Sequence, residues 1–312
     1  MRIVFCGTPE FAVPSLRRLA AEPGISVEAV ITQPDRPRGR GQHVSNSPVK
    51  EAALAANLHV YQPETIKSDS AQEFLKRVAP DAVVIIAYGQ IIPARLLTLP
   101  HLGWINLHAS LLPQYRGAAP IHWAVANGET ITGLTTMQID AGMDTGPILL
   151  QRGLEIGPEE TSPELAARMS QIGAALIVDS LLQLDRGEIS PAPQDPGKAS
   201  YAPILKKENG RIEWERTAQQ IYNRIRGFTP WPGAFSTFRS QKCHLWGRPG
   251  NNPVVEAHGT PGEIIASTKG IYVVCREGTS LRLESVQVEG RKRVSAAEFA
   301  NGARLTPGKR FI

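Results

Sequence analysis

Asn106, His108 and Asp144 are the residues of this 312-residue chain whose types and spacing best suit work on a reacting oxygen and a moving proton. An amide donates hydrogen bonds to negative charge developing on oxygen. An imidazole, with an unperturbed pKa of ~6.5, gives or takes a proton near neutral pH, and a carboxylate orients and charge-stabilises it. Asn106 and His108 are separated by two, so they can point to one face of an extended segment. They stand where the apolar run GWINL meets the irregular stretch HASLLPQYRGAAP. Ligands of open α/β sheets gather beyond the carboxyl ends of the strands, which makes residues just past a strand the first place to look. Further on, IDAGMDTGPIL puts Asp144 in a glycine-flanked loop between two strands, from which it can return to the same crevice.

Each residue alone has a plainer explanation: an Asn in a turn, a His packed beside an apolar run, an Asp capping a backbone N–H. Their combination with the interposed SLLP and RGAAP is much more specific. Ser110 lacks the GxSxG elbow of a hydrolase nucleophile and reads as a turn hydroxyl. The Gly7-Thr8-Pro9 loop lacks GxGxxG spacing, so a nucleotide-binding architecture does not bring a nicotinamide cofactor with it. The seven histidines form no HExxH pair and Cys6, Cys243 and Cys275 form no CxxC pair, so neither a metal nor a disulfide framework is expected.

The elements that must position these residues follow from periodicity. RIVFC, SVEAVIT and DAVVIIA are β-branched apolar runs, separated by FAVPSLRRLAAE, SPVKEAALAAN and DSAQEFLKRV, which have helical spacing. That alternation predicts a parallel sheet with crossover helices, and Ser47-Pro48 is a good helix start. GWINL, GLTTMQI and ILLQRGL add strands with some antiparallel pairing, and a long helix is expected from Ser162 to Leu184. The fold class is therefore α/β: a Rossmann-like, doubly wound, mostly parallel sheet over residues 1–189. Four prolines and no period between Gly187 and Asn209 mark an interdomain linker at 190–208. Beyond it TAQQIYNRIRGF starts with Thr217 and Gln220 at capping-box spacing, and STF, KCHLW, GEIIAS, IYVVC and LRLESVQV follow as short strands, so residues 209–312 are expected to close into a small OB-like β-barrel. PWPGAF, with Trp231, is expected to fold into that domain's core.

Charge separates the two parts. Residues 1–205 carry 16 Lys+Arg against 20 Asp+Glu, a net of minus 4, whereas residues 206–312 carry 18 against 9, a net of plus 9. A basic domain on a mildly acidic one suggests polyanion binding by the smaller part through phosphate neutralisation. MRIVFCG reads directly as a strand and no apolar run approaches the ~20 residues of a membrane span, so a cytoplasmic protein is expected.

The stretch NLHASLLPQYRGAAPIHWAVANGETITGLTTMQIDAGMDTGPI, Asn106 to Ile148, resembles the signature of the folate-dependent formyltransferases: Asn-x-His, then Ser-Leu-Leu-Pro, then an Asp-Thr-Gly loop. The resemblance extends from GTPEFA at Gly7 through QPDRPRGRG to the basic C-terminal region, and is strongest to those members that formylate methionyl initiator tRNA. It implies 10-formyltetrahydrofolate as co-substrate, Asn106, His108 and Asp144 as catalytic residues, and Ser110, Leu111, Leu112 and Pro113 as the stretch that cradles the folate. In formyl transfer an amine attacks the formyl carbon, a tetrahedral oxyanion forms, and the folate nitrogen leaves with a proton. Asn106 then suits the oxyanion, His108 the oxyanion or the proton, and Asp144 the imidazole or the amine; the residues alone do not divide those roles.

Gln33 to Pro48 is longer than an ordinary strand-to-helix connection of ~2 to 6 residues. Its Arg36, Arg38 and Arg40 suit phosphates or exposed bases. The resemblance implies that this loop enters the acceptor stem of the tRNA, with Arg40 the key residue. Lys206, Lys207, Arg224, Arg226, Arg291, Lys292 and Arg293 are further candidate phosphate contacts, and a monomer is expected. A formyltransferase acting on an amino sugar nucleotide is the alternative within the family; the Arg-rich loop and the basic domain argue against it. A formyl-folate hydrolase needs no polyanion-binding domain, and a non-catalytic RNA-binding protein leaves Asn106, His108 and Asp144 without a purpose.

Overall fold

The computed structural model describes residues 1–38, 43–250 and 259–312. They pack as two compact units, the first made of Met1–Pro120, Ile131–Glu155 and Leu165–Pro203, the second of Ile121–Thr130, Ile156–Glu164 and Ile204–Ile312.

In the first unit β1 (Arg2–Gly7), β2 (Ser26–Ile31), β5 (Val60–Tyr61), β6 (Ala82–Ile86) and β7 (Trp104–His108) are parallel, and β8 (Ile131–Gln138) and β9 (Ile148–Glu155) continue the sheet antiparallel, in the order β5-β2-β1-β6-β7-β8-β9. Ile3, Val4, Phe5 and Cys6 of β1 are fully buried, as a parallel strand covered on both faces requires. The chain winds outward from β1 to β5 and returns to β6, so the strand order reverses between β1 and β6 and opens a crevice at their carboxyl ends. The crossovers are α1 (Val13–Ala20), α2 (Pro48–Ala55) and α3 (Asp69–Val78), and a single-turn helix α4 (Ala94–Leu97) precedes β7. Helix α2 starts as expected, with Pro48 in its first turn and the Ser47 hydroxyl accepting from Lys50 N–H at 3.1 Å.

The described residues of the polar Gln33–Pro48 connection include paired structure. Arg36–Arg38 (β3) and His43–Ser45 (β4) pair as an antiparallel ribbon, and Arg40 lies outside the described residues. At its base the Asp35 carboxylate pairs with Lys50 and accepts from Gln62 Nε2 at 3.0 Å. Helix α5 (Pro120–Asn127), which follows the RGAAP stretch, has no counterpart in the sequence-based expectation: at eight residues, most of them apolar, it shows no distinct stripe.

Helix α6 (Ser162–Asp185) is long and apolar enough by composition to cross a membrane, a length the apolar runs of the sequence do not suggest. Its apolar residues are core: Leu165, Met169, Ile177 and Leu181 are buried at helical spacing. Gly173 lets it lie against β7, because a Cβ there would stand 2.6 Å from Leu107 Cδ2. With Leu107 turned toward α6, strand alternation turns Asn106 and His108 to the opposite face.

The second unit begins its regular structure after the linker with α7 (Ala218–Gly227), whose Thr217–Gln220 capping box is formed. An antiparallel sheet runs in the order β10 (Phe235–Phe238), β11 (Gln241–Gly250), β14 (Ser280–Val288), β13 (Gly270–Val274), β12 (Ile264–Ser267), with β15 (Val294–Ser295) on β14. The expected closed barrel is not found: among the described residues no strand pairing joins the two ends of this path, β10 and β12. The chain's last residues bridge them instead. Thr237 and Ile312 exchange two backbone bonds of 3.0 and 2.9 Å, Ile264 N–H donates to Lys309 O at 2.8 Å, and Phe311 N–H to Gly262 O at 2.9 Å. Two short edges are thereby paired by a few residues of tail, whose Phe311 is fully buried against Trp214, Phe238 and Phe299. The final helix α8 (Ala296–Ala303) carries a local signal that periodicity alone passes over: Ser295 and Glu298 form a capping box. Trp231 departs from expectation, being 53% exposed, whereas Phe228 three residues before it is fully buried.

Phe311→Ala should lower the protein's unfolding free energy by ~3 to 5 kcal/mol, the usual cost of deleting a buried aromatic ring. Urea denaturation followed by circular dichroism checks this; a loss below ~1 kcal/mol would mean that the tail does not hold the sheet edges.

Candidate active site

Strand β7 lies between β6 and β8, with Asn106 paired to Ile85 on one side and Met137 on the other, and His108 opposite Thr135. The backbone carrying Asn106 is therefore fixed from two sides, and that carrying His108 from the β8 side. Asn106 is partly exposed, whereas the His108 side chain is only 6% exposed. Its Nε2 lies 3.0 Å from the Tyr115 carbonyl oxygen. A carbonyl can only accept, so Nε2 carries a hydrogen and donates it, leaving Nδ1 as the nitrogen free to exchange a proton. Nδ1 faces Asp144, whose Oδ2 is 3.7 Å away. An imidazole that gains a proton at Nδ1 becomes a cation directly opposed to a carboxylate.

Asp144 reaches this position from a left-handed backbone conformation, φ 54°. The Gly117 N–H donates to its Oδ2 at 2.8 Å. The loop around it is shaped by Asp140, which accepts from the Thr145 hydroxyl at 2.7 Å and from Gly142 N–H at 3.0 Å. Gly146 admits no side chain, since a Cβ there would stand 1.8 Å from the Gln138 carbonyl oxygen. Gln194 fastens the loop from outside, donating through Nε2 to the carbonyls of Asp144 (2.9 Å) and Gly146 (2.7 Å), while its Oε1 accepts from Arg116 Nε and Nη2 at 3.1 and 2.7 Å. Sequence reasoning missed Gln194, which sits in a proline-rich stretch without period; Arg116 and Gly117 were visible only as part of the RGAAP motif.

The Ser110–Pro113 stretch continues from β7. The Ser110 hydroxyl donates to Gln114 O at 2.5 Å, which fits a turn hydroxyl. Thr135 Oγ1 donates to Ser110 O at 2.7 Å and accepts from Leu112 N–H at 3.0 Å, while Gln151 Nε2 donates to Leu112 O at 2.9 Å. Leu112 is buried at 3% and belongs to the loop's own packing. Leu111 and Pro113 are the partly exposed residues of the stretch. Among the described residues no group of three or more His, Cys, Asp or Glu side chains is placed to hold a metal ion.

The basic candidates divide. Arg36, Lys206, Lys207, Arg291 and Lys292 are exposed, and Arg38 belongs to the β3–β4 ribbon. Arg226 is no surface contact: it is 5% exposed and its guanidinium is spent on Asn223 Oδ1 and the carbonyls of Gly157 and Glu160. Arg224 is partly buried beside the Phe228 ring, and burial lowers its pKa. Arg293 lies 3.9 Å over the Trp246 ring and donates to Ser285 Oγ at 2.6 Å. Strand alternation puts Lys242, His244, Trp246 and Arg248 on one face of β11, and the Lys242 ammonium lies 3.7 Å over Phe235. Burial, then the charges of Lys242 and Lys207, hold His244 below its ordinary pKa. This basic and aromatic row is present in KCHLWGR as a period-2 signal that a reading for strands alone overlooks.

Comparison with known proteins identifies the family. Residues 1–181 match the family model described as formyl transferase, and residues 204–304 match the one described as formyl transferase, C-terminal domain. The chain is 53% identical over 311 residues to a methionyl-tRNA formyltransferase of Solibacter usitatus, covering 100% of this chain and 98% of the relative. It is 48% identical to that of Geobacter metallireducens, over 100% and 98% of the two chains. Among solved structures, an N-formyltransferase of Helicobacter canadensis in complex with folinic acid and dTDP-3-aminofucose superposes with a TM-score of 0.65 at 18% identity, over 90% of this chain and 98% of that one. HypX of Aquifex aeolicus with tetrahydrofolic acid gives 0.61 at 16% identity, over 96% of this chain and 47% of that one.

Gly117 has φ 117°, and a Cβ there would meet Ala202 O at 2.7 Å. Gly117→Ala should therefore destabilise the protein by ~1 to 3 kcal/mol through backbone strain. A urea midpoint equal to that of the parent protein would contradict the strain argument.

Proposed function

The chain belongs to the formyl transferase family, and from that premise we propose how its residues divide the reaction it catalyses, transfer of the formyl group of formyl-tetrahydrofolate to the α-amino group of methionyl initiator tRNA. The observation that carries the assignment is His108 at the end of β7, with Nε2 committed to the Tyr115 carbonyl and Nδ1 facing the Asp144 carboxylate. Attack of the amine on the formyl carbon forms a carbon–nitrogen bond and moves the carbonyl electron pair onto oxygen. Collapse of that oxyanion expels the folate nitrogen, which takes up a proton as the amine loses one.

Asn106 extends from the same face of β7 as His108 and supplies amide N–H donors to the oxyanion. His108 exchanges the proton at Nδ1, and Asp144 stabilises the imidazolium so formed, its own carboxylate kept in place by Gly117 N–H. Ser110 to Pro113 line the folate side of the site, with Leu111 and Pro113 as its apolar surface. The basic residues hold the nucleic acid. Arg36, Arg38 and Arg40 lie in the connection after β2 and engage the acceptor end, and Lys206, Lys207, Arg291, Lys292 and Arg293 neutralise phosphates farther along. Residues 209–312, the larger part of the second unit, serve as an OB-like tRNA-binding domain, and residues 1–189 as the catalytic domain, two short pieces of which pack with the second unit. A role at translation initiation places the enzyme in the cytoplasm. An amino sugar nucleotide as acceptor is not favoured: the full-length relatives at about half identity are methionyl-tRNA formyltransferases.

Asn106→Ala should lower kcat by ~10²- to 10³-fold, the cost of removing an oxyanion donor, and His108→Ala by ~10²- to 10⁴-fold, with unfolding midpoints preserved. Steady-state formylation of methionyl-tRNA measures both, and normal turnover in either variant removes that residue from the mechanism. Replacing Arg291, Lys292 and Arg293 together by Ala should flatten the dependence of tRNA affinity on salt by up to ~3 units of log–log slope, about one for each phosphate no longer neutralised. An unchanged slope means that those side chains do not touch phosphate.

A further inference from the structure

The catalytic carboxylate sits on a loop that its own backbone does not favour. Asp144 holds φ 54°, a conformation that persists in a non-glycine residue only where the surroundings over-determine it. Gly117 N–H acts on the carboxylate itself, but what holds the backbone beneath it is the Gln194 side chain. Nε2 spans two carbonyls, those of Asp144 at 2.9 Å and Gly146 at 2.7 Å, on either side of Thr145. The orientation of this amide is settled by its partners: two carbonyl oxygens can only accept, and the two Arg116 nitrogens facing Oε1, at 3.1 and 2.7 Å, can only donate. Arg116 is itself 5% exposed and fixed through its backbone, with Arg116 N–H donating to Ser200 O at 2.8 Å and Ala202 N–H to Arg116 O at 2.7 Å. The same segment reaches the other side of the site. Ser200 Oγ accepts from Tyr115 N–H at 2.9 Å, in the residue whose carbonyl takes the His108 Nε2 hydrogen.

We propose that Gln194 is a positioning residue for formyl transfer: braced by Arg116, its amide clasps the Asp144–Gly146 turn and thereby sets the carboxylate against His108 Nδ1. The proposal rests on the assignment of Asp144 and His108 to catalysis. It gives the glutamine a reason that packing alone does not. A glutamate at 194 keeps the volume and strengthens the pairing with Arg116, but it puts a second acceptor against two carbonyl oxygens and loses both donations.

The test uses the full-length enzyme with formyl-tetrahydrofolate and methionyl-tRNA, comparing Gln194→Ala and Gln194→Glu, each alone and combined with Asp144→Ala. Both single variants should lose kcat by ~10- to 100-fold, the scale of a 1 Å misplacement, with KM for tRNA and folate within about twofold of the parent and with an altered pH profile of kcat. In the Asp144→Ala background either change should add little, because the group it positions is gone. Gln194→Glu keeps the experiment decisive if the alanine variant folds poorly. Full kcat in folded Gln194→Glu, or an undiminished loss on top of Asp144→Ala, would overturn the positioning role while leaving the catalytic assignment intact. Full activity of Asp144→Ala itself would overturn both.

Discussion

The hydrogen bond from His108 Nε2 to the Tyr115 carbonyl decides which nitrogen of the imidazole is free, and the rest of the first unit can be understood as maintaining it. The donor end is fixed by β7, paired to β6 as far as Asn106 and to β8 through His108, and pressed against α6 where Gly173 leaves room for Leu107. The acceptor end is fixed by the 113–119 segment, whose backbone is paired to residues 200–202. Asp144 completes the arrangement from a third segment held by Gly117 and Gln194. Stretches distant in sequence must therefore be brought to one strand end, which explains why the site needs a complete sheet behind it.

How much of this was legible in the sequence depended on whether the signal was local. The crossover helices and buried strands declared themselves by period, and Ser47-Pro48 and Thr217–Gln220 by capping chemistry. Asn106, His108 and Asp144 stand out as candidates because their flanking motifs narrow the choice, and the structure brings His108 and Asp144 together. Gln194 does not stand out, because its partners lie at positions 116, 144 and 146 and nothing in a proline-rich stretch announces such an interaction. Arg226 misled for the complementary reason: charge is visible in sequence, burial against Gly157 and Glu160 carbonyls is not. The expected barrel closure failed on the same ground. Short strands with glycine breaks predict a curled sheet, but whether its edges meet is decided by residues that pair from far away, here Lys309 to Ile312.

The second unit combines positive charge with aromatic rings on one strand face. Lys242 over Phe235 and Arg293 over Trp246 hold cations at the surface while covering apolar rings, an arrangement suited to a backbone of phosphates. This charge divides the labour of the chain. On the proposed assignment the chemistry of formyl transfer belongs to the end of β7 and would serve any suitably presented amine, while the β3–β4 ribbon and the basic domain are proposed to select a nucleic acid acceptor.

The most direct measurement of that account is a formyl transfer assay with purified protein and labelled formyl-tetrahydrofolate, offered methionyl initiator tRNA and a dTDP-amino sugar in parallel. Label should enter the tRNA-linked methionine, and a His108→Ala control should remove the transfer. Label entering the sugar nucleotide and not the tRNA, or full transfer by the His108→Ala protein, would contradict it.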